Sequence, residues 1–284
     1  TSPDGGKDEN VFNIMQGVSI NIFVKKGNYA PYLQGKTACK HGAKALATVR
    51  YCDLYGKRGE KFDWLERKAL DSVRWKTVAP QAPMYFFVPK DADGIDEFNA
   101  GFSLQDIFCE SSVGIVTAND KTLVAESCDA LRNQIARFYG EEPDDGMIHK
   151  VAYRPFDERY LYYDVNKIER PREKMMRQLL IGDNLVLLSV RQLAGMEWCH
   201  VSVADKIVDD CRVSNRSKER GYVFPLYLYE ENFGKVEKRP NFNAEVYDKI
   251  ASAVKRKPSP EEVFDYIYAV LHTPEYRSKY KEFL

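Results

Sequence analysis

No two prolines are adjacent anywhere in this 284-residue chain, and none of its six cysteines (39, 52, 109, 128, 199, 211) forms a Cys-x-x-Cys pair. The first absence removes the Asn/Asp-Pro-Pro-Tyr loop with which amino-methyltransferases hold an extruded base. The second removes the usual zinc-ribbon and thioredoxin spacings, so reduced thiols are expected. The four histidines (41, 149, 200, 272) stand in no recognisable nucleophile motif. No stretch approaches the roughly 18 apolar residues of a membrane helix. No glycine-rich strand–loop–helix is present to hold a dinucleotide or S-adenosylmethionine. Charge of one sign is missing too: 42 basic residues balance 42 acidic ones, so any contact with nucleic acid has to come from a local patch.

What remains is the composition of a soluble globular protein, 44% hydrophobic and 30% charged, with length for one or two domains. The polar start Thr1–Asn10 has no apolar core and is no signal peptide, so a cytoplasmic location is expected. Thr1 is not preceded by methionine, and a longer parent polypeptide is expected.

Residues 11–25 read as two strands meeting at Gln16-Gly17, the second alternating Val18, Ile20, Ile22 and Val24 with more polar positions. A strand is expected at 45–52, a helix over 58–74, and a buried strand at Met84–Val88. Val113–Thr117 reads as a strand and Ala125–Tyr139 as a helix stopped by Gly140. The acidic loop Glu141–Gly146 is a candidate boundary. Short strands follow (151–153, 160–163, 184–190, 199–203, 222–229), with a basic helix near 171–181. Two helices close the chain, the last opened by Ser259-Pro260-Glu261-Glu262, a capping box with proline at the first helical position.

Several motifs weaken on inspection. Ala30–Thr37 imitates a phosphate loop but carries proline and tyrosine where glycine-rich backbone is needed. Asp53, Glu66 and Lys68 imitate a metal-dependent nuclease set, yet helical spacing points Glu66 and Lys68 apart. Cys199, His200 and Cys211 lack a second close ligand pair, so no metal site is expected.

The positive signal is Tyr153-Arg-Pro-Phe-Asp-Glu-Arg159, continuing to Tyr162-Tyr163-Asp164. Arginines on a proline-fixed corner suit bidentate contact with phosphate or guanine, and Arg–Asp braces at a strand corner look the same. A basic run extends from it: Arg154, Arg159, Lys167, Arg170, Arg172, Lys174 and Arg177. A second cluster holds Arg212, Arg216, Lys218 and Arg220. Phosphate anchoring and a plain solvated surface both fit these residues.

Taken in order, Val11–Lys25, Arg50–Gly56, Tyr153–Arg159, Phe224-Pro-Leu-Tyr-Leu-Tyr229, Arg239-Pro-Asn-Phe-Asn243 and Phe264–Arg277 form a series. The series resembles the C-terminal region of single-polypeptide restriction–modification enzymes, Type ISP and the related Type IIG. The resemblance implies a mixed α/β fold. Residues 1–26 would be the terminal strands of an adenine-N6 methyltransferase domain, 27–110 a linking α/β segment, and 111–284 a target-recognition domain with a C-terminal helical segment. It implies double-stranded DNA as partner, together with the upstream methyltransferase domain of the same polypeptide. S-adenosylmethionine would serve the parent enzyme, a site-specific methyltransferase and restriction endonuclease. No cofactor and no catalytic residue is expected in this segment. The DNA-binding candidates are Arg154, Arg159, Lys167, Arg170, Arg172, Lys174, Arg177, Arg216, Lys218 and Arg220. A scaffold that docks neighbouring domains without reading bases is the alternative.

Overall fold

A computed structural model describes residues 2–14, 17–24, 47–81, 85–91, 93–191, 198–215, 219–232 and 234–284, which fall into two units, Thr1–Ala92 and Asp93–Leu284. The phosphate-loop-like stretch at 30–37 lies outside the described residues, as do Arg216 and Lys218.

In the first unit, β1 (Val49–Tyr51) pairs antiparallel with β2 (Lys76–Val78), and α1 (Arg58–Arg67) lies between them in sequence. The N-terminal segment is strapped to the start of α1. Arg58 donates to the carbonyl of Asn10 at 2.8 Å and to Asn13 Oδ1 at 2.8 Å, while Lys61 Nζ reaches the carbonyl of Glu9 at 2.7 Å and Asp8 Oδ1 at 2.7 Å.

Three expected strands are corrected here. Residues 11–14 and 17–24 form no strand, and Ile20 and Phe23 are 75% and 79% exposed. Alternation marks a face suited to burial, but a strand also needs a neighbouring chain to satisfy its N–H and C=O groups. Residues 85–88 are likewise exposed and unpaired, and Tyr85 sits at φ 47, which breaks an extended run. The expected helix over 58–74 is shorter, because the backbone turns extended at Lys68.

The second unit runs α2 (Ile95–Asn99), α3 (Leu104–Ile107), β3 (Ser112–Val113), α4 (Asp120–Leu123), β4 (Val124–Ala125), α5 (Cys128–Tyr139), β5 (Ile148–Arg154) and β6 (Asp157–Tyr162). It continues with α6 (Glu173–Met176), β7 (Val186–Val190), β8 (Ser202–Ala204), β9 (Ile207–Val208), β10 (Gly221–Pro225), β11 (Tyr227–Asn232) and β12 (Lys235–Pro240), and closes with α7 (Ala244–Val254), α8 (Pro260–His272) and α9 (Pro274–Lys279). One four-stranded sheet has the order β3-β10-β7-β8, a second β4-β6-β5-β9, and β11 and β12 form a hairpin. All pairings are antiparallel except β5 with β9.

The five residues of β7 are all buried, because this strand lies between two cores. Val186 and Leu188 face one core with Val223 of β10, Leu131 and Ile135 of α5, and Val151 and Leu161 of the second sheet. Leu187 and Phe224 face the other, with Val263, Phe264, Ile267 and Leu271 of α8. The arrangement is therefore sheet, sheet, helices. Gly140 ends α5 at φ 71, and Ser259 caps α8 with Glu262 returning a bond to its N–H at 2.8 Å. The acidic loop 141–146 lies inside this unit, joining α5 to β5.

The strand-like segment that starts at β3 crosses from one sheet to the other. The N–H of Gly114 donates to Gly221 at 3.1 Å, the N–H of Ile115 to Val208 at 2.8 Å, and the N–H of Asp210 to Ile115 at 2.9 Å. At Gly114 a Cβ would lie 2.5 Å from the Asp210 nitrogen, so only glycine lets the backbones approach this closely.

Candidate nucleic-acid interface

The Tyr153–Arg159 motif forms the turn between β5 and β6. Arg154 pairs with Asp157, leaving Pro155 and Phe156 as the turn itself. Proline at the first central position and φ 60 at Phe156 are the marks of a type II turn, whose second position usually needs glycine. Below the turn, Arg154 and Arg159 hold their guanidinium carbons 3.8 and 4.7 Å from the centre of the Tyr153 ring.

Each arginine is also tied to a carboxylate. Arg159 Nη2 lies 2.9 Å from Asp157 Oδ2. Arg154 Nη1 donates to Asp209 Oδ1 at 2.7 Å, and its Nη2 lies 3.8 Å from Asp120 Oδ2. The hydroxyl of Tyr153 donates to Asp120 at 2.7 Å, and Thr117 bonds the other oxygen of the same carboxylate. Desolvation, then that hydrogen bond, pushes the Tyr153 hydroxyl up to about 12. The Asp209 side chain is only 6% exposed; burial pushes its carboxyl up to about 6 against the pull of Arg154. Burial raises the neighbouring Asp210 as well, and Arg220 lies 3.2 Å from it. A cleft of about 440 Å³ opens here, walled by the 115–121 turn, Arg154 and residues 209–211. Cys211 lines this cleft, and burial raises its thiol.

The other basic candidates divide by environment. Lys167 reaches Asp164 at 3.1 Å and Glu141 at 3.4 Å and is mostly covered. Arg172 is half-buried at φ 52 in front of α6. Arg170 exchanges two backbone bonds with Val116, but its side chain is exposed. Lys174, 78% exposed, touches Glu110 at 2.7 Å, and exposed Arg177 touches Glu231 at 2.7 Å. Pairs this exposed contribute about 0–1 kcal/mol, so a phosphate can replace the carboxylate at little cost. The pair of Arg154 with a buried aspartate is different in kind, since removing one partner strands a charge.

Residues 140–284, just over half of the chain, match the family described as the Type ISP C-terminal specificity domain. The chain belongs to this family. No curated protein sequence matches it. Among solved structures, this specificity-domain chain is similar to a DrdV–DNA complex seen by cryo-EM, with 21% identity and a TM-score of 0.61 over 82% of this chain and 27% of that one. LlaBIII, an ATP-dependent Type ISP restriction–modification enzyme bound to DNA, gives 18% identity and a TM-score of 0.62 over 83% and 18% of the two chains. A nuclease-deletion mutant of the Type ISP enzyme LlaGI, in complex with a DNA substrate mimic, gives 16% and 0.57 over 84% and 26%. At such identities the likeness is one of fold, and the chain spans only about a quarter or less of the length of these proteins.

Sequence reasoning did not single out Asp209, Asp120 or Phe156. The first two are brought to Arg154 by long-range pairing, and nothing in their local spacing signals it. Phe156 lay inside the motif, and its signal was a proline followed by a bulky residue in a turn of two.

Proposed function

We propose that the chain reads the target sequence of duplex DNA as the specificity region of a larger restriction–modification enzyme whose methyltransferase acts on adenine N6. Family membership over residues 140–284 carries this reading. The exposed side chains of Arg170, Lys174 and Arg177 support it, because they sit within one short stretch and hold at most surface ion pairs. In this reading they anchor phosphates, with Arg216 and Lys218 as further contacts. Arg154, Arg159, Lys167 and Arg220 set the register of the recognition surface from their braced positions, with the half-buried Arg172 beside them.

The larger enzyme would supply S-adenosylmethionine chemistry and an upstream methyltransferase domain ending near residue 26. The linking segment would run over 27–110 and the recognition domain over 111–284, all in the cytoplasm. Interdomain docking without base readout is favoured for Arg159 alone, whose guanidinium is already committed to Asp157 and Tyr153. The test is selection of duplexes from a randomised pool by the chain, followed by affinity against salt. Enrichment of one consensus, with log affinity falling linearly in log salt, is expected. Recovery of no common sequence would overturn the reading.

A further inference from the structure

The tip of the β5–β6 hairpin presents a ring that neither core uses. Phe156 is 105% exposed, more than any other large hydrophobic residue among those described. It also stands at φ 60, a backbone conformation that bulky residues rarely adopt. Scattered exposed apolar side chains are ordinary and need no explanation. One held at a backbone cost, on a turn pre-set by Pro155, does need one.

The stalk beneath the ring is braced by several contacts. Tyr153 lies against both arginines, Arg154 is bonded to Asp209, and Arg212 Nη1 lies 3.4 Å from the carbonyl of Arg154. A protein-docking face would need contiguous apolar area around the ring. Here Pro155 is the one apolar residue beside it in the turn, and the flanking Arg154, Asp157 and Glu158 are all polar. A single apolar ring on a polar stalk fits the space between two base pairs. Two-stranded ribbons enter DNA grooves, and inserted phenylalanines partly unstack base steps.

We infer that Phe156 is a wedge that enters one base step of the bound duplex and unstacks it. This rests on the DNA-reading function proposed above. The duplex recovered from the randomised pool would carry one 2-aminopurine at each adenine in turn, and fluorescence would be followed on adding the chain. Unstacking should raise the signal several-fold at one step. Phe156→Asn suits the positive φ and should fold as the wild type does, yet it should abolish that rise. It should also weaken binding by roughly 5- to 150-fold, the range for losing one aromatic–base stack. Phe156→Leu, still an apolar wedge, should keep most of the signal. Duplex binding with no rise at any adenine, or an equal rise with Phe156→Asn, overturns the wedge and leaves the DNA reading standing. Failure to bind any duplex overturns both.

Discussion

Arg154 Nη1 donates to Asp209 Oδ1 at 2.7 Å across 55 residues of sequence, joining the root of the β5–β6 hairpin to the end of β9. The same carboxylate oxygen accepts the N–H of Cys211 at 2.8 Å. Arg154 is 32% exposed and Asp209 is not, so the pair is half in water. Arg154→Ala leaves the aspartate buried without its cation. A loss of about 2 kcal/mol is expected, below the 3–5 kcal/mol of fully buried pairs. Urea denaturation measures it. An Arg154→Met, Asp209→Leu double variant should recover most of the loss.

The same aspartate predicts a pH dependence. Its carboxyl titrates near 6 in the fold and near 3.8 when unperturbed, with burial as the main cause. The folded state thus binds the proton more tightly between these values. The associated stability is fully present below 3.8 and is lost as pH rises through about 6. Asp209→Asn cannot ionise, so its melting temperature relative to wild type should climb between about pH 4 and pH 7. A gap that stays constant across that window would sink the assignment.

Lys174→Ala and Arg177→Ala should separate affinity from stability. Both side chains are exposed and hold surface carboxylates only, so melting should move by no more than about 0.5 kcal/mol. Binding should weaken by a similar factor for every duplex, and each substitution should lower the salt slope by about 1. A change confined to one base position would mark a base reader instead.

Gly114 admits no side chain. A methyl there would press on the Asp210 nitrogen at 2.5 Å and on the carbonyl of Val208 at 2.7 Å, and backbone cannot yield as a flexible side chain can. Gly114→Ala should cost about 1–3 kcal/mol, as overpacking does. Thermal melts of the variant give the number, and an unchanged midpoint would mean that the two sheets separate easily.

Much of the second unit was legible beforehand, because its signals are local. Gly140 stops α5, Ser259 with Glu262 opens α8, and the short strand expected at 184–190 forms as β7. In the first unit, the apolar runs at 18–24 and 85–88 carried an equally plain signal and form no strand. Hydrophobic pattern states which face would be buried; only a partner strand makes the burial happen. The candidate site divides along the same line. The Tyr153–Arg159 corner was readable from one proline and its aromatic neighbours. The nearby Asp157 and Asp164 were the visible candidates to brace its arginines, and Asp157 does hold Arg159. Asp209 reaches Arg154 only through the parallel pairing of β5 with β9, a contact with no local trace.

The burial of β7 on both faces has a thermodynamic meaning. Leu187 belongs to the helical core while Val186 and Leu188 belong to the core between the sheets, so one backbone segment is a wall of both. Melting either side uncovers a strand that the other side still needs. The two cores therefore cannot come apart in sequence, and Asp93–Leu284 should lose its structure in a single calorimetric transition rather than two.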